Sequence, residues 1–233
     1  MCCDFWQRWK SIDIESPPQT PMEFEHRWSS YYKVVEGRPP RETLIKALDL
    51  FAAEGDDKAA RNRYFAVDLG CGNGRDTAEL LQRNWRVLAI DGQAEAIEEL
   101  RQRQDLNRTY LEARVQKFED LTLPPDVDLI NASFCLPFCP AEHFSELWDV
   151  MVGSLKTGGR FSGQLFGDRD SWASLSNIMT HTRSQVDQLL HPFIVEFFEE
   201  EEHPGKTALG EDKHWHLYQI VARKQGDPYA DRP

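Results

Sequence analysis

The sequence predicts an α/β fold in which a doubly wound, mostly parallel sheet is built from short buried strands that alternate with helices. The first observation is an apolar run at 65–69 that stops at Gly70 and leads directly into a helical pattern, as in a strand buried on both faces. The second is that the same order recurs at 86–91 and 127–132. The third is the length: 233 residues, 40% of them hydrophobic, suffice for one α/β domain with its own core.

The N-terminal part of the chain is predicted to contain helices rather than strands. Residues 1–20 form an irregular leader, because prolines near its end interrupt any helix. Residues 23–35 are compatible with a helix that carries several aromatic side chains, and a second helix follows around 44–51. A polar linker at 56–63 then leads into the first strand. We therefore divide the chain into a leader with a helical cap, residues 1–54, and a core, residues 55–233.

The stretch 65–91 carries the clearest functional signal. Gly70, Gly72 and Gly74 let the backbone turn tightly and approach a ligand closely, and a helix N-terminus follows them. A second strand ends at Asp91, roughly 20 residues beyond the glycines. An acidic residue at that distance is positioned to accept hydrogen bonds from a ribose diol. The stretch therefore predicts a cofactor with a nucleoside half.

Two classes of cofactor use such a glycine turn, and the spacing separates them. The dinucleotide fingerprint needs a third glycine where this chain has Arg75, and it normally lacks an acid before the turn, where this chain has Asp68. The run D-L-G-C-G-N-G, with Asp91 after it, resembles motifs I and II of class I S-adenosylmethionine-dependent methyltransferases. The run K-T-G-G-R-F at 156–161 resembles the L-K-P-G-G-x-F signature of the same family, with Thr157 in place of proline, and glycines that still provide a turn before the fifth strand.

The resemblance covers about residues 41–224 and carries expectations for fold and site. It implies a seven-stranded, Rossmann-like sheet with helices on both faces, and a helical cap over the cofactor pocket. Tyr31 and Tyr32 of the cap would then line the active site, although packing between helix and body explains them more simply. The residues expected to bind S-adenosylmethionine are Asp68, Gly70, Cys71, Gly72, Asn73, Gly74, Asp76, Asp91, Gly92, Phe118, Glu119, Asn131 and Ser133.

Two of these expectations concern the adenine ring. In the resemblance, the loop after the third strand lies against the adenine, so Phe118 would cover the ring face and Glu119 would reach its polar edge. An equally good interpretation leaves Glu119 as a solvated loop acid.

The methyl acceptor is expected at residues 166–183, which leave the fifth strand on the cofactor side. This segment contains Asp168, Arg169, Asp170, Trp172 and, as a candidate to take a proton from an acceptor, His181. A single histidine on a helix is more often a surface residue. The family's chemistry is direct displacement, which needs in-line approach and water exclusion but no nucleophile from the protein. No catalytic residue is therefore assigned, and His181, Tyr31 and Tyr32 are candidates only.

The cysteines and histidines do not suggest a metal site. The cysteine count is five, an odd number, and Cys135 and Cys139 lack a second pair at zinc spacing, so we interpret them as buried, reduced side chains. His214 and His216 share one face of a predicted strand and are interpreted as partly exposed edge residues. That strand, 215–222, is predicted to form a hairpin with 194–198.

The loop of the predicted hairpin is strongly charged. It spans 199–212, and its run of glutamates at 199–202 is interpreted as solvated. Nothing in this pattern predicts a functional role.

Charge and hydropathy limit the classes of substrate and partner that we expect. A net charge of −12 gives no attraction to phosphate backbones, so nucleic acid is not expected as a substrate. No apolar run has the length of a membrane span and the N-terminus has no signal-peptide core, so we expect a cytoplasmic protein without a membrane partner.

The predicted function is methyl transfer from S-adenosylmethionine to a small molecule, and a generic similarity extends to the tellurite-resistance and thiol methyltransferases. Alternatives are a silent S-adenosylmethionine-binding regulator and, third, a nicotinamide-dependent oxidoreductase. The acceptor, the general base and the oligomeric state stay open.

Overall fold

The computed structural model of this chain describes residue 28 and residues 30–55 and 63–226. The predicted leader 1–20, the first part of the predicted helix 23–35 and nearly all of the predicted linker 56–63 lie outside these ranges. Residues 30–35 are helical, as is Trp28, and we refer to them together as the cap helix.

One sheet organises the described chain. Its strands are β1 (Phe65–Leu69), β2 (Arg86–Asp91), β3 (Leu111–Val115), β4 (Val127–Ala132), β5 (Leu155–Gly167), β6 (Thr180–His181), β7 (Phe193–Lys206) and β8 (Asp212–Lys224). The helices labelled here are α1 (Glu42–Ala53), α2 (Arg75–Gln82), α3 (Ala94–Gln102), α4 (Ala141–Ser154) and α5 (Arg183–Leu189).

The strand order is β3-β2-β1-β4-β5-β8-β7, and the two-residue β6 pairs with β5. Strands β1 to β6 run parallel, whereas β8 lies antiparallel between β5 and β7. From β1 the chain continues to β2 on one side and later to β4 on the other. The carboxyl ends of β1 and β4 therefore border the crevice where open α/β sheets bind ligands. The predicted mostly parallel, doubly wound sheet is confirmed, and β6 adds an eighth, very short strand.

Helices cover both faces of the sheet. Within β1, Ala66 contributes to the core beneath α1, α2 and α3, whereas Val67 contributes to the core beneath α4 and α5. This alternation follows from the strand geometry, in which successive side chains point to opposite faces. Because both faces are buried, β1 is apolar throughout except at Asp68.

The hairpin of β7 and β8 is much longer than predicted. Most of the predicted loop 199–212 is strand, and residues 207–211 alone connect the two strands. The glutamates are not merely solvated, because Glu200 accepts hydrogen bonds from Arg169 and pairs with His216, and Glu202 pairs with His214 and Arg169. Cross-strand charge pairing thus compensates for the low strand propensity of this run.

Two further expectations are corrected by the sheet. β8 is an interior strand, so His216 is fully buried rather than partly exposed at an edge. The glycines at 158 and 159 lie within β5, where the pairing register with β4 shifts between Val127 and Leu129. The predicted turn before the fifth strand is therefore an irregularity inside that strand, and Gly158 adopts a positive φ of 79° there.

A buried arginine connects α1 to the sheet. Arg160 of β5 is 1% exposed, and its guanidinium donates to Glu196 of β7 at 2.6 Å and to Glu54 at the end of α1. Arg223 of β8 lies near the same two carboxylates at 3.5 to 3.7 Å, but its side chain is 40% exposed. The guanidinium of Arg160 is therefore the group that balances the negative charge of Glu196, which is half-buried.

We expect Arg160→Met to lower the free energy of unfolding by about 2 to 4 kcal/mol, because it leaves Glu196 without its closest charged partner. Arg223→Met is the matched control and should cost less than about 1 kcal/mol, since an exposed ion pair contributes little. Urea denaturation of both variants measures the difference. Equal losses of unfolding free energy in the two variants would show that burial of the guanidinium does not determine how much it stabilises the fold.

Candidate functional site

A cavity of about 300 Å³ opens at the carboxyl ends of β1, β2 and β4. Its wall combines the glycine turn after β1, the end of β2, the loop after β3 and the cap helix. The predicted cofactor residues that line it are Asp68, Gly70, Cys71, Gly72, Asn73, Asp76, Asp91, Gly92, Phe118, Glu119 and Ser133. Tyr31 and Tyr32 line it as well. Gly74 and Asn131 do not, and whether the others contact the cofactor directly remains a prediction.

The glycine turn is held by close packing. Gly70 has a φ of 66°, and a Cβ there would lie 2.3 Å from the Cβ of Cys135. The thiol of Cys135 in turn donates to the carbonyl of Leu69 at 3.0 Å. Burial raises the pKa of both Cys71 and Cys135, so these thiols stay protonated, and the interpretation of Cys135 and Cys139 as buried, reduced side chains is confirmed.

Asp91 closes the turn from the end of β2. Its carboxylate accepts the backbone N–H of Gly72 and of Gln93, each at 2.8 Å. Burial, and secondly the charge of Asp91, raises the pKa of Tyr32 well above its usual value, and the Tyr32 hydroxyl donates to the Asp91 carboxylate. Burial likewise raises the pKa of Asp91. Since a carboxylate has about four lone-pair positions, Asp91 retains limited capacity for a further donor.

Two more carboxyls lie deeper in the cavity wall. Asp68 accepts from the Thr77 hydroxyl at 2.5 Å and from the Asn131 amide at 2.9 Å. The same amide donates to Asp76 at 3.0 Å, and Asp76 also accepts the backbone N–H of Arg41. Burial, and secondly the charge of Asp76, raises the pKa of Asp68 to about 7. Asn131 therefore positions these acids from behind the cavity wall.

The electrostatics of this wall discriminate between cofactors. Three buried carboxyls, Asp68, Asp76 and Asp91, surround the glycine turn. A pyrophosphate approaching them would be repelled, whereas a positively charged group would be attracted. S-adenosylmethionine carries positive charge on its sulfonium and its amino group, so these three carboxyls fit it better than they fit a dinucleotide. Phe118 and Glu119 line the cavity beyond Asp91, where the adenine was expected.

His181 lies elsewhere. It is 3% exposed in β6, its ring centroid is 4.6 Å from that of Phe144, and both ring nitrogens lack a hydrogen-bond partner within the described residues. Burial lowers its pKa to about 4. The expectation of a surface histidine was wrong, and the structure does not bring His181 to the cavity at the glycine turn. The reason is that β6 adds to the sheet and faces α4.

A second cavity, of about 260 Å³, adjoins the first. The two share the wall residues Trp28, Tyr31, Arg41, Phe134 and Phe138. Aromatic rings from three other elements complete it, namely Phe166, Trp172 and Trp215. Sequence analysis placed Trp172 in the acceptor segment but missed Trp215 and the loop 207–209. Their only signal was the aromatic content of a segment interpreted as an ordinary hairpin.

A buried ion pair supports the aromatic floor of the second cavity. Lys213 and Asp170 are each 4% exposed and pair with one another. The ammonium of Lys213 lies 3.8 Å from the ring centroid of Trp172 and 4.6 Å from that of Trp215. Asp170 also accepts the backbone N–H of Trp172 and of His216. Of the predicted acceptor segment, Trp172 lines the cavity and Asp170 lies beneath it.

Two negative findings apply to the part of the chain that the structure describes. No group of three or more His, Cys, Asp or Glu side chains there is arranged to hold a metal ion. None of the helices in these ranges combines the length and the apolar character that crossing a bilayer requires.

The chain is similar to known methyltransferases in sequence and in structure. Residues 66–159 match a family model described as a methyltransferase domain. TehB from Haemophilus influenzae superposes with a TM-score of 0.61 at 16% identity, over 75% of this chain and 62% of that one, so the match spans less than two thirds of TehB. A SAM-dependent methyltransferase from Methanosarcina mazei gives 0.58 at 20% identity, over 72% and 95%. The N-methyltransferase NodS from Bradyrhizobium japonicum, in complex with S-adenosylhomocysteine, gives 0.60 at 16% identity, over 85% and 98%.

The strand order and the helices on both faces define a Rossmann-like α/β fold, which the solved methyltransferases share at 16 to 20% identity. Residues 66–159 carry the methyltransferase-domain match. Together with the acidic glycine turn, this similarity supports S-adenosylmethionine as the cofactor.

Tyr32 and a ribose hydroxyl would compete for the carboxylate of Asp91. We therefore expect Tyr32→Phe to tighten S-adenosylmethionine binding by about fivefold, since the free protein loses a hydrogen bond of about 1 kcal/mol that the complex does not use. Tyr31→Phe is the control, because the Tyr31 hydroxyl accepts from Arg41 instead. Calorimetric titration measures both. Weaker binding by Tyr32→Phe would show that its hydroxyl supports the complex.

The raised pKa of Asp68 predicts a pH dependence. The folded protein holds this proton up to about pH 7, whereas an unfolded Asp releases it near 3.9. Stability contributed by the protonated carboxyl is thus complete below about pH 4 and is lost as the pH rises towards 7. We expect Asp68→Asn to gain on the order of 2 to 4 kcal/mol relative to wild type between pH 4.5 and pH 8 in urea denaturation.

The control for this experiment is Asp105→Asn. Arg103 lowers the pKa of Asp105, which therefore stays ionised throughout the range, and the difference from wild type should not change with pH. A constant difference for Asp68→Asn as well would show that Asp68 is ionised in the folded protein.

Proposed function

We propose that this chain transfers the methyl group of S-adenosylmethionine to a small-molecule acceptor by direct in-line displacement. The observation that carries the proposal is the pair of adjoining cavities, one acidic and built around the glycine turn, the other aromatic, with five wall residues in common. Two ligands bound in neighbouring chambers meet at that wall. Such an arrangement suits a two-substrate reaction better than it suits a protein that only senses its cofactor.

The chain's own contribution is positioning and water exclusion. When bound, S-adenosylmethionine supplies an electrophilic methyl carbon, which an acceptor nucleophile takes as the carbon–sulfur bond breaks. The shared wall contains four aromatic rings and Arg41, and none of its described residues is Asp, Glu, His or Lys. The wall therefore offers no general base beyond the Tyr31 hydroxyl. The acceptor must approach as a ready nucleophile or release its proton to water.

The size of the second cavity supports a small acceptor. At about 260 Å³ it lies slightly below the range of small-molecule sites, and its aromatic walls would bury most of a ring-sized ligand. The loop 207–209 and the cap helix both border it. A macromolecular substrate would have to insert a comparably small group.

The test is a methylation screen with the whole chain. Purified protein is incubated with S-adenosylmethionine bearing a deuterated methyl group and with a metabolite extract, and mass spectrometry identifies products that gain the labelled methyl. We expect at least one small molecule to be labelled. Asp91→Asn should lower the yield by at least tenfold at limiting cofactor, because the carboxylate that organises the turn is lost.

If the screen labels no product, calorimetry on the same preparation shows which ligand the protein binds. Binding of S-adenosylmethionine without transfer to any acceptor would favour a regulatory protein over an enzyme. Binding of NAD without binding of S-adenosylmethionine would contradict both.

A further inference from the structure

The charge of the second cavity is opposite to that of the whole chain. The protein carries a net charge of −12, yet no Asp or Glu is among the described residues that line this cavity. Its ionisable lining side chains are the basic Arg38, Arg41, His203 and Lys206, together with Tyr31. A basic cavity in an acidic protein concentrates anionic ligands.

Arg41 is the residue best placed to hold an anion. Its guanidinium lies over the ring of Phe134, 4.2 Å from the ring centroid, and donates to the Tyr31 hydroxyl at 3.2 Å. Among the described residues no carboxylate pairs with it, in contrast to Arg160, Arg83 and Arg103. A guanidinium held over a ring keeps its other N–H donors for bidentate contact with an oxyanion. Because Arg41 belongs to the shared wall, that anion would lie close to the first cavity.

The other basic residues differ in availability. Arg38 is exposed and has no carboxylate partner within the described ranges, so it adds positive potential at the rim. Lys206 pairs with the exposed Asp212, at 2.6 Å. His203 lies 3.6 Å from Glu201. The positive charge that remains for a ligand is thus mainly on Arg41 and Arg38.

The aromatic floor is suited to an apolar ring but not to a cation. Aromatic cages that bind ammonium groups present free ring faces. Here the ammonium of Lys213 already lies against Trp172, Trp215 and Phe166, and Asp170 neutralises it. A cationic ligand at these rings would be repelled by the ammonium of Lys213. The floor therefore provides apolar contact area, to which ring-shaped ligands pack edge-to-face or offset.

We propose that the second cavity binds the methyl acceptor and that this acceptor is a ring-bearing organic anion, with its oxyanion paired to Arg41 and its apolar body against Phe138, Trp172 and Trp215. The assignment of the cavity to the acceptor rests on the proposed function. The preference for a ring-bearing anion rests on the lining residues alone. Binding and transfer therefore test it separately.

The binding test uses three probes with one ring system and different charge: 2-naphthoate, 2-naphthylmethanol and 2-naphthylmethylammonium. Calorimetry and quenching of tryptophan fluorescence are followed with the whole chain, with and without S-adenosylhomocysteine. We expect 2-naphthoate to bind at least tenfold more tightly than the alcohol, and the ammonium probe to bind most weakly. Equal affinities, or a preference for the ammonium, in the wild-type chain would overturn the proposal.

The variants locate the anion. Arg41→Met should bring 2-naphthoate to the affinity of the alcohol and leave the alcohol within about twofold, whereas Trp215→Ala should weaken both probes. Arg114→Met is the matched control, an arginine that pairs with Glu112 on the far edge strand, and should bind as wild type. If Arg41→Met does not fold, Arg38→Met should reduce the preference for 2-naphthoate severalfold. An unchanged preference in the folded variant would exclude the assigned anion site.

The transfer test separates this proposal from the proposed function. The metabolite extract is divided into anionic, neutral and cationic fractions before the screen with labelled S-adenosylmethionine. We expect labelled products from the anionic fraction, and 2-naphthoate should inhibit their formation. Labelling confined to the neutral or cationic fraction would overturn the acceptor class while leaving methyl transfer intact. Labelling of no fraction would contradict the proposed function and, with it, the acceptor assignment, whatever the naphthalene probes bind.

Discussion

The side-chain amide of Asn131 connects the elements on which both cavities depend. From the end of β4 its nitrogen donates to Asp68 of β1 and to Asp76 of α2, and its oxygen accepts from Ser162 of β5 at 2.8 Å. Asp76 then accepts the backbone N–H of Arg41, which begins the approach to α1. One buried amide thus holds the glycine turn, the helix after it and the wall shared by the two cavities. A buried network of this kind is stable only when every member is satisfied, as it is here.

The site combines two opposite electrostatic environments within a short distance. Around the glycine turn, the three buried carboxyls of Asp68, Asp76 and Asp91 favour a positively charged ligand. Beyond the shared wall, Arg41 and Arg38 create a demand for negative charge. In the first chamber the preference arises because burial makes an uncompensated charge costly, and in the second it arises from the positive potential of two arginines without carboxylate partners among the described residues. In our proposals the positively charged cofactor binds in the acidic chamber and the anionic acceptor binds in the basic one.

The parts that sequence predicted best are those with local causes. The unit from β1 through the glycine turn to α2 and on to Asp91 was predicted because turn chemistry and the periodicity of apolar residues act over a few residues. The extent of β7 and β8 was underestimated, since a run of glutamates has low strand propensity on its own and becomes stable as strand only beside Arg169, His214 and His216. Tertiary pairing overrides propensity in such a segment.

The sequence by itself determined the class of fold and the acidic glycine turn from which the cofactor is predicted, because each depends on neighbouring residues. Only the tertiary structure decided that His181 is buried against Phe144, that Asn131 lies behind the cavity wall, and that a basic, aromatic cavity adjoins the cofactor site. That cavity combines the cap helix, the loop after β4, the segment after β5 and the long hairpin. These segments are far apart in the chain, and no local pattern encodes which of their side chains will meet. Their proximity follows from the strand order, which brings β4, β5 and β8 side by side.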